Sequence, residues 1–328
     1  MQKEVIFSGM RPTGRLQLGN LFGALENWVD LQNQGHRCFY CIVDWHAMTT
    51  AYDAPEEIKE YTGEILCDWL SAGLDPDKSI IFRQSDVKEH AELHLLFSMF
   101  TPLSWLERCP TYKDQIQQID RTDLRTYGFL GYPLLQSADI LLYKGTAVPV
   151  GEDQAPHIEL SREVARRFNF LYRRVFPEPK TFLNEYKLIP GLDGRKMSKS
   201  YGNVIHMTAD PDEVAEKVRL MVTDPQRIRK TDPGNPDVCT VFKFRRIFDE
   251  NDEEEFAPRC RKGTVGCVEC KQNLAARMQK TLTPLYEKRQ ELKKNPDYLQ
   301  DVLLTGAGKA RAVARETMEE VRSVTGLA

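Results

Sequence analysis

Between Gly191 and Ser200 the chain reads G-L-D-G-R-K-M-S-K-S, so that Arg195, Lys196 and Lys199 share ten residues with two glycines and two serines. Cations on a flexible backbone suit closure over a polyphosphate, where they neutralise the charge that grows on a departing pyrophosphate. The composition predicts a mobile loop, and on its own the string describes a solvated loop equally well. A second feature is a lone carboxylate. In Tyr132 to Tyr143, Y-P-L-L-Q-S-A-D-I-L-L-Y, Asp139 sits among apolar residues, and a carboxylate buried there needs a donor, either from a ligand or from the protein. Gln136, three residues earlier, falls on the same helical face.

Cysteine supplies a third candidate. Eight cysteines without a secretory leader argue against a disulfide framework and towards buried thiols or a metal centre. Cys38, Cys41, Cys67 and Cys109 are scattered, whereas Cys239, Cys260, Cys267 and Cys270 are spaced C-x20-C-x6-C-x2-C. Cys38 and Cys41 form a C-x-x-C inside an apolar strand pattern, and residues three apart on a strand point to opposite faces, so packing is the expected role. The downstream four admit three readings: a [4Fe-4S] cluster, a zinc site, or free thiols. Zinc usually takes two close pairs and only Cys267 and Cys270 make one, and four thiolates with two singletons are also compatible with the cluster.

Lys196 to Ser200 matches the signature pentapeptide of class I aminoacyl-tRNA synthetases. Two upstream strings resemble that class in the expected order: F-S-G-M-R-P-T-G-R-L-Q-L-G-N from Phe7 to Asn20, and V-P-V-G-E-D-Q from Val148 to Gln154. The resemblance covers nearly the whole chain and is greatest to the bacterial tryptophanyl-tRNA synthetases, some of which carry an iron-sulfur cluster in the helical domain. It implies activation of L-tryptophan with ATP and Mg2+, then transfer to tRNA(Trp). It makes Gln17, Leu18, Gly19 and Asn20 the counterpart of the class tetrapeptide H-I-G-H. The family commonly has Thr at the first position and Asn at the last, so Gln17 departs from the pattern. The same resemblance implies catalytic roles for Gln17, Asn20, Lys196 and Lys199. It implies ATP contacts from Arg11, Gly19, Asn20, Gly151, Asp153, Lys196, Met197, Ser198, Lys199 and Ser200. The tryptophan pocket it implies comprises Phe7, Gly9, Tyr132, Gln136, Asp139, Val150 and Gln154, with Asp139 reading the indole N–H, and the metal ligands are Cys239, Cys260, Cys267 and Cys270. A Gln and Asp pair at this spacing also occurs in archaeal-type tyrosyl enzymes, where it reads a phenol. Tyrosyl-tRNA synthetase is therefore the near alternative, a free-standing nucleotidylyltransferase and a noncatalytic iron-sulfur nucleic-acid binder the remoter ones.

The remaining signals position these groups. A length of 328 residues with 41% hydrophobic content suits two domains with ordinary cores. The fold class expected is α/β: a doubly wound, parallel-sheet, Rossmann-like catalytic domain over residues 1–200, followed by an all-helical, anticodon-binding domain over residues 201–328. Strands are expected at Val5 to Ser8, Arg37 to Asp44, Ser79 to Arg83 and just before Gly151. Helices are expected over Gly19 to Gln34, Ala54 to Ala72, Leu93 to Leu106, Tyr132 to Tyr143 and Asp153 to Phe168. His46 follows the second strand at its crevice end and serves either substrate or structure. About sixty residues from Gln84 to Thr146 are too few for an editing domain, and the resemblance makes them a homodimer interface. Beyond Asp210 only helical patterns occur, at Glu213 to Met221, Val241 to Phe248, Lys271 to Lys293 and Lys309 to Thr325. The net charge of -3 hides a basic stretch from Arg259 to Lys294, with ten Lys or Arg against three acids, next to the acidic run Asp249 to Glu255. Nearby cations, and not the global sum, govern phosphate contacts. No leader and no window of eighteen uncharged apolar residues is apparent, so no membrane span and a cytoplasmic location are expected.

Overall fold

The computed structural model describes residues 3–109, 124–151, 154–183, 189–248 and 250–327. Five parallel strands form its sheet: β1 (Val5–Met10), β2 (Arg37–Ile42), β3 (Ser79–Arg83), β4 (Ala147–Val150) and β5 (Lys180–Leu183). Their spatial order is β3-β2-β1-β4-β5. The chain moves outward from β1 to β2 and β3, then returns to the other side of β1 for β4. That reversal opens a crevice at the carboxyl ends of β1 and β4, where ligands bind in open α/β sheets. β5, K-T-F-L, was not foreseen. It is a four-residue strand pairing only with β4, too short to show a period.

β2 is buried from its second residue onward, as a strand covered on both faces should be. Cys38 packs with Tyr40 and Ile42 in one core, while Cys41 packs with Phe39 in the other. The two sulfurs of the C-x-x-C therefore lie on opposite sides of the sheet.

Helices cover both faces. The first is composite: α1 (Leu18–Asn20), a π turn over Leu21–Leu25, and α2 (Glu26–Asn33). π turns within helices often mark functional positions. Next come α3 (Asp44–Ala51) and α4 (Pro55–Ser71), the latter opened by Pro55 and followed by Gly73 at φ 105°. The single helix expected over Leu93 to Leu106 is two, α5 (Glu89–Ser98) and α6 (Leu103–Glu107), because Pro102 cannot continue a helix and caps the second in extended conformation. α7 (Tyr127–Leu142) starts five residues before the apolar run, where Thr126 accepts a hydrogen bond from Phe129 N. α8 (Ala155–Leu171) follows β4. Within the sixty-residue segment, residues 110–123, which include Arg121, lie outside the described residues.

The second half is helical throughout: α9 (Pro211–Leu220), α10 (Thr240–Phe248), α11 (Glu250–Arg261), α12 (Cys267–Lys293) and α13 (Pro296–Thr325). α11 forms over most of the acidic run, where no helix was expected. α13 starts thirteen residues earlier than its pattern suggested, because Asn295 caps it by accepting from Tyr298 N and Pro296 takes its first turn. It packs back on the sheet, with Arg311 Nη2 donating to Asp86 O at 2.6 Å and Arg322 pairing with Glu92 at 2.6 Å.

Two glycines in α13 look alike in sequence and differ in surroundings. A methyl on Gly306 would overlap the carbonyl oxygen of Ile81 in β3, whereas one on Gly308 meets nothing within 4 Å. Gly308→Ala should raise stability by up to about 1 kcal/mol through helix propensity. Gly306→Ala should lower it by roughly 1–3 kcal/mol through overpacking. Paired denaturant melts check the opposite signs; a stabilising Gly306→Ala would show that α13 does not rest on β3.

Candidate active site

A cavity of about 380 Å³ opens at the carboxyl ends of β1 and β4. All seven residues expected around an amino acid line it: Phe7 and Gly9 from β1, Tyr132, Gln136 and Asp139 from α7, Val150 from β4, and Gln154. Arg11 and Gly151 join them at the rim. Gly9 is required by space, since a Cβ there would come within 2.8 Å of Val43. The walls are mostly apolar, with a few convergent polar groups, the usual make-up of a small-molecule site.

Asp139 is 1% exposed. Burial alone would push its carboxyl up, but His90 and His46 more than offset this and hold it well below the usual carboxylate range. His90 Nδ1 lies 2.7 Å from Oδ1 and His46 Nε2 2.9 Å from Oδ2, while Gln84 Nε2 donates to both oxygens at 2.8 and 2.9 Å. A carboxylate only accepts, so the proton on His90 sits at Nδ1. The Tyr143 hydroxyl lies 2.7 Å from Nε2. Gln84 is fixed in turn by accepting from Trp45 N at 3.2 Å. Sequence reading singled out Asp139 and His46 but missed Gln84, His90 and Tyr143, which stand 55 and 49 residues before Asp139 and four after it. Only the need of a buried carboxylate for hydrogen-bond donors signalled that such partners had to exist. Across the cavity, His157 Nδ1 lies 2.8 Å from Gln154 Oε1, which fixes its proton there, and the Tyr132 hydroxyl lies 3.3 Å from Nε2.

The nucleotide-type strings form a second group beside this cavity. The backbone before α1 pairs with the backbone after the signature loop: Leu18 N donates to Ile205 O and Met207 N to Leu16 O, each at 3.0 Å. Asn20 Oδ1 accepts from Gln17 N at 3.0 Å, and Gln17 Oε1 is buried without a hydrogen-bond partner among the described residues. Gly19 lies beside the Gln17 side chain. Lys199 Nζ reaches Thr13 O at 2.5 Å, bringing the signature loop onto the turn after β1. Burial pushes this ammonium down and the charge of Asp68 opposes the shift. Asp153 and Glu152 lie outside the described residues, as does the Ser200 side chain.

The signature loop was expected to be mobile, yet the structure folds it tightly. Asn203 Oδ1 accepts from Ser198 N at 2.8 Å while its Nδ2 donates to Asp193 Oδ1 at 2.8 Å and to Lys196 O at 3.2 Å. The Asn203 amide and Arg195 together hold the Asp193 carboxyl down at about 2. A Cβ on Gly191 would collide with that amide, so the glycine serves close approach more than freedom. Met197 is buried, and Arg195 stacks on Tyr201 with 4.7 Å to the ring centroid. Lys196 lines a shallow basic pocket with Arg195, Lys243 and Arg246.

Far from the crevice, Cys239, Cys260, Cys267 and Cys270 line one small cavity under α10, α11 and α12. Burial pushes the thiols of Cys239, Cys260 and Cys270 up, opposed at Cys260 by Arg227 and at Cys270 by Arg245. Arg227 Nη1 lies 3.6 Å from Cys260 Sγ, and its buried Nε has no hydrogen-bond partner among the described residues. Among the described residues no three His, Cys, Asp or Glu side chains stand at the spacing of a single metal ion.

The model for tRNA synthetases class I (W and Y) matches residues 2–283 of this chain. A tryptophan--tRNA ligase from Thermotoga maritima is 52% identical over 324 residues, covering 98% of this chain and 99% of the relative. One from Aquifex aeolicus is 46% identical over 393 residues, covering 98% and 99%. Among solved structures, the tryptophanyl-tRNA synthetase of Campylobacter jejuni, complexed with ADP and tryptophan, superposes with a TM-score of 0.90 at 36% identity, covering 98% of this chain and all of that one. The tyrosyl-tRNA synthetase of Archaeoglobus fulgidus, at 20% identity and a TM-score of 0.66, shares the fold.

Proposed function

The chain belongs to the class I tRNA synthetases of the tryptophan and tyrosine family, and from that premise we propose that it activates L-tryptophan with ATP and transfers it to tRNA(Trp). The observation that carries this reading is the 52% identity to a tryptophan--tRNA ligase along the full length of both chains. The cavity supports the choice of amino acid: an apolar slot with an ionised, accept-only carboxylate at Asp139 suits the donor-only indole N–H.

The amino-acid carboxylate is an ionised nucleophile at neutral pH, so the first step needs no general base. It attacks the α-phosphorus in line, a P–O bond to the amino acid forms, and the bond to pyrophosphate breaks. Mg2+ bound to the triphosphate as part of the substrate would neutralise part of its charge. The protein's work is placement and electrostatics. Phe7, Gly9 and Val150 hold the indole, with Tyr132, Gln136 and Gln154 at the polar end. Arg11, Gly19, Asn20 and Gly151 face the nucleotide with Gln17, and Asp153 is assigned there from the resemblance. Lys196 and Lys199 meet the departing pyrophosphate, carried by Met197, Ser198 and Ser200 of the loop. Removing a preorganised donor to developing charge typically costs on the order of 100-fold or more in rate. In tryptophan-dependent pyrophosphate exchange, Lys199→Ala should lose about that much in kcat while tryptophan affinity holds. Asp139→Asn should instead lose roughly ten- to hundredfold in tryptophan use, as a charge-assisted hydrogen bond is worth about 1.5–3 kcal/mol. Exchange driven by tyrosine in preference to tryptophan would overturn the assignment.

The four downstream cysteines fit a [4Fe-4S] cluster in donor chemistry: four thiols on one cavity, with Arg227 and Arg245 close by to balance negative charge. Cys239, Cys260, Cys267 and Cys270 would hold it, and the cluster would supply a rigid crosslink among α10, α11 and α12. Anaerobically purified protein should contain about four iron and four sulfide per chain by this stoichiometry. Cys260→Ser or Cys270→Ser should lose them and impair tRNA charging while exchange largely survives. Stoichiometric zinc without iron would favour the zinc reading.

The assembly proposed is a homodimer working in the cytoplasm. Its support is the exposed apolar set of Leu95 on α5, Met99 just after that helix and Leu103 on α6, within the segment between β3 and β4. Sedimentation should give twice the 37.8 kDa chain mass, and Met99→Glu should shift it towards the monomer; a wild-type monomer would refute the dimer.

A further inference from the structure

Asp68 on α4 lines neither the amino-acid cavity nor the thiol cavity, and it has no solvent exposure. Its donors come from three separate parts of the chain. Leu16 N, on the turn leading to α1, donates to Oδ2 at 2.7 Å. Thr208 Oγ1, in the segment after the signature loop, donates to Oδ1 at 3.0 Å. Arg289 Nη1, near the end of α12, pairs with Oδ1, and its Nη2 pairs with Glu64 one turn earlier on α4. Arg289 is 2% exposed, and Lys293 adds a contact to Glu64 at 2.8 Å.

Leu16 and Thr208 bracket the short backbone pairing between 16–18 and 205–207 that joins the two nucleotide strings. Arg15 Nη2 closes the same corner by donating to Thr208 O at 2.9 Å. The Asp68 charge also acts on Lys199. One buried carboxylate thus ties the turn before Gln17 and Asn20 to the segment behind Lys196 and Lys199, and Arg289 holds that carboxylate from the helical half.

We propose that Asp68, with Arg289 behind it, is a positioning residue for the nucleotide half of the reaction: it fixes the two ATP-facing strings relative to each other and leaves the amino-acid pocket untouched. The role presupposes the adenylate chemistry proposed for the crevice. In-line transfer tolerates little misplacement, and about 1 Å can cost on the order of 100-fold. A carboxylate that accepts from both strings fixes their separation to within hydrogen-bond length. Asp139 does for the amino-acid side what Asp68 does here, with a separate set of donors.

The test is pyrophosphate exchange with KM for ATP and kcat resolved, beside tryptophan affinity measured by fluorescence without ATP. Thr208→Val removes a single hydroxyl from a buried site at nearly constant volume and should reduce kcat/KM for ATP about three- to tenfold. Arg289→Met should cost more, roughly ten- to hundredfold, with Arg289→Lys recovering part of it because the charge remains. Tryptophan affinity should stay within about twofold in all three. Asp68→Asn should resemble Arg289→Met; if it does not fold, Thr208→Val and the Arg289 pair decide. Unchanged ATP kinetics in folded Thr208→Val and Arg289→Met, or tryptophan affinity falling in parallel with ATP use, overturns the proposal. A wild-type chain without tryptophan-dependent exchange would refute the adenylate chemistry itself, which keeps the two failures distinct.

Discussion

A carboxylate taken out of water must be given donors, and much of this molecule's arrangement answers that demand twice. Asp68 and Asp139 are almost wholly buried, and each gathers hydrogen bonds from segments that the sequence keeps far apart. An unpaired buried charge is among the costliest defects a fold can carry, so the partners of each are fixed once the carboxylate is placed. Around Asp139 they are His46, Gln84 and His90, drawn from α3, from the 3-10 turn after β3 and from α5. Around Asp68 they are Leu16, Thr208 and Arg289. The two networks stand on different sides of the sheet's crevice and share no member.

The chemistry needs that separation. A pocket that selects an aromatic amino acid must be rigid before the ligand arrives, because a donor lost from a rigid slot cannot be replaced by water. A site that handles a triphosphate must neutralise charge that moves, so its cations sit on loops. Here those loops are less free than their composition implies. Asn203 staples the signature loop internally, and Lys199 fastens it to Thr13. Lys199 therefore lies close to the turn after β1, while Arg195 and Lys196 line a separate basic pocket with Lys243 and Arg246.

α12 runs from the thiol cavity at Cys267 and Cys270 to the Asp68 network at Arg289. The helical half is therefore anchored to the sheet at two places, by α12 through Arg289 and by α13 through its close approach at Gly306. The helical half is not a loosely tethered module: the salt bridge and the helix-on-strand contact both penalise its departure, each by leaving buried groups without partners.

The sequence by itself determined the elements and the chemistry-bearing strings. Periodicity located four of the five strands and most helices, the cations and glycines around Lys196 and Lys199 suggested a polyphosphate, and the family resemblance extended that expectation to Gly19 and Asn20. The stiffness of a strand was enough to separate Cys38 from Cys41. What it could not supply were pairings without a local pattern. β5 is too short for a period; α13 hides its first turns behind Gly306 and Gly308; Pro102 divides a helix that hydrophobicity alone runs together. The same limit applied to the site. Gln84, His90, Tyr143 and Asn203 carry no motif, and Asp68 looks like any acid on an amphipathic helix. Their roles come from long-range contact, which is decided when the sheet brings β1 and β4 side by side and α12 returns to α4. Local preference acts over a few residues, whereas the need to satisfy a buried charge acts over whatever distance the fold has closed.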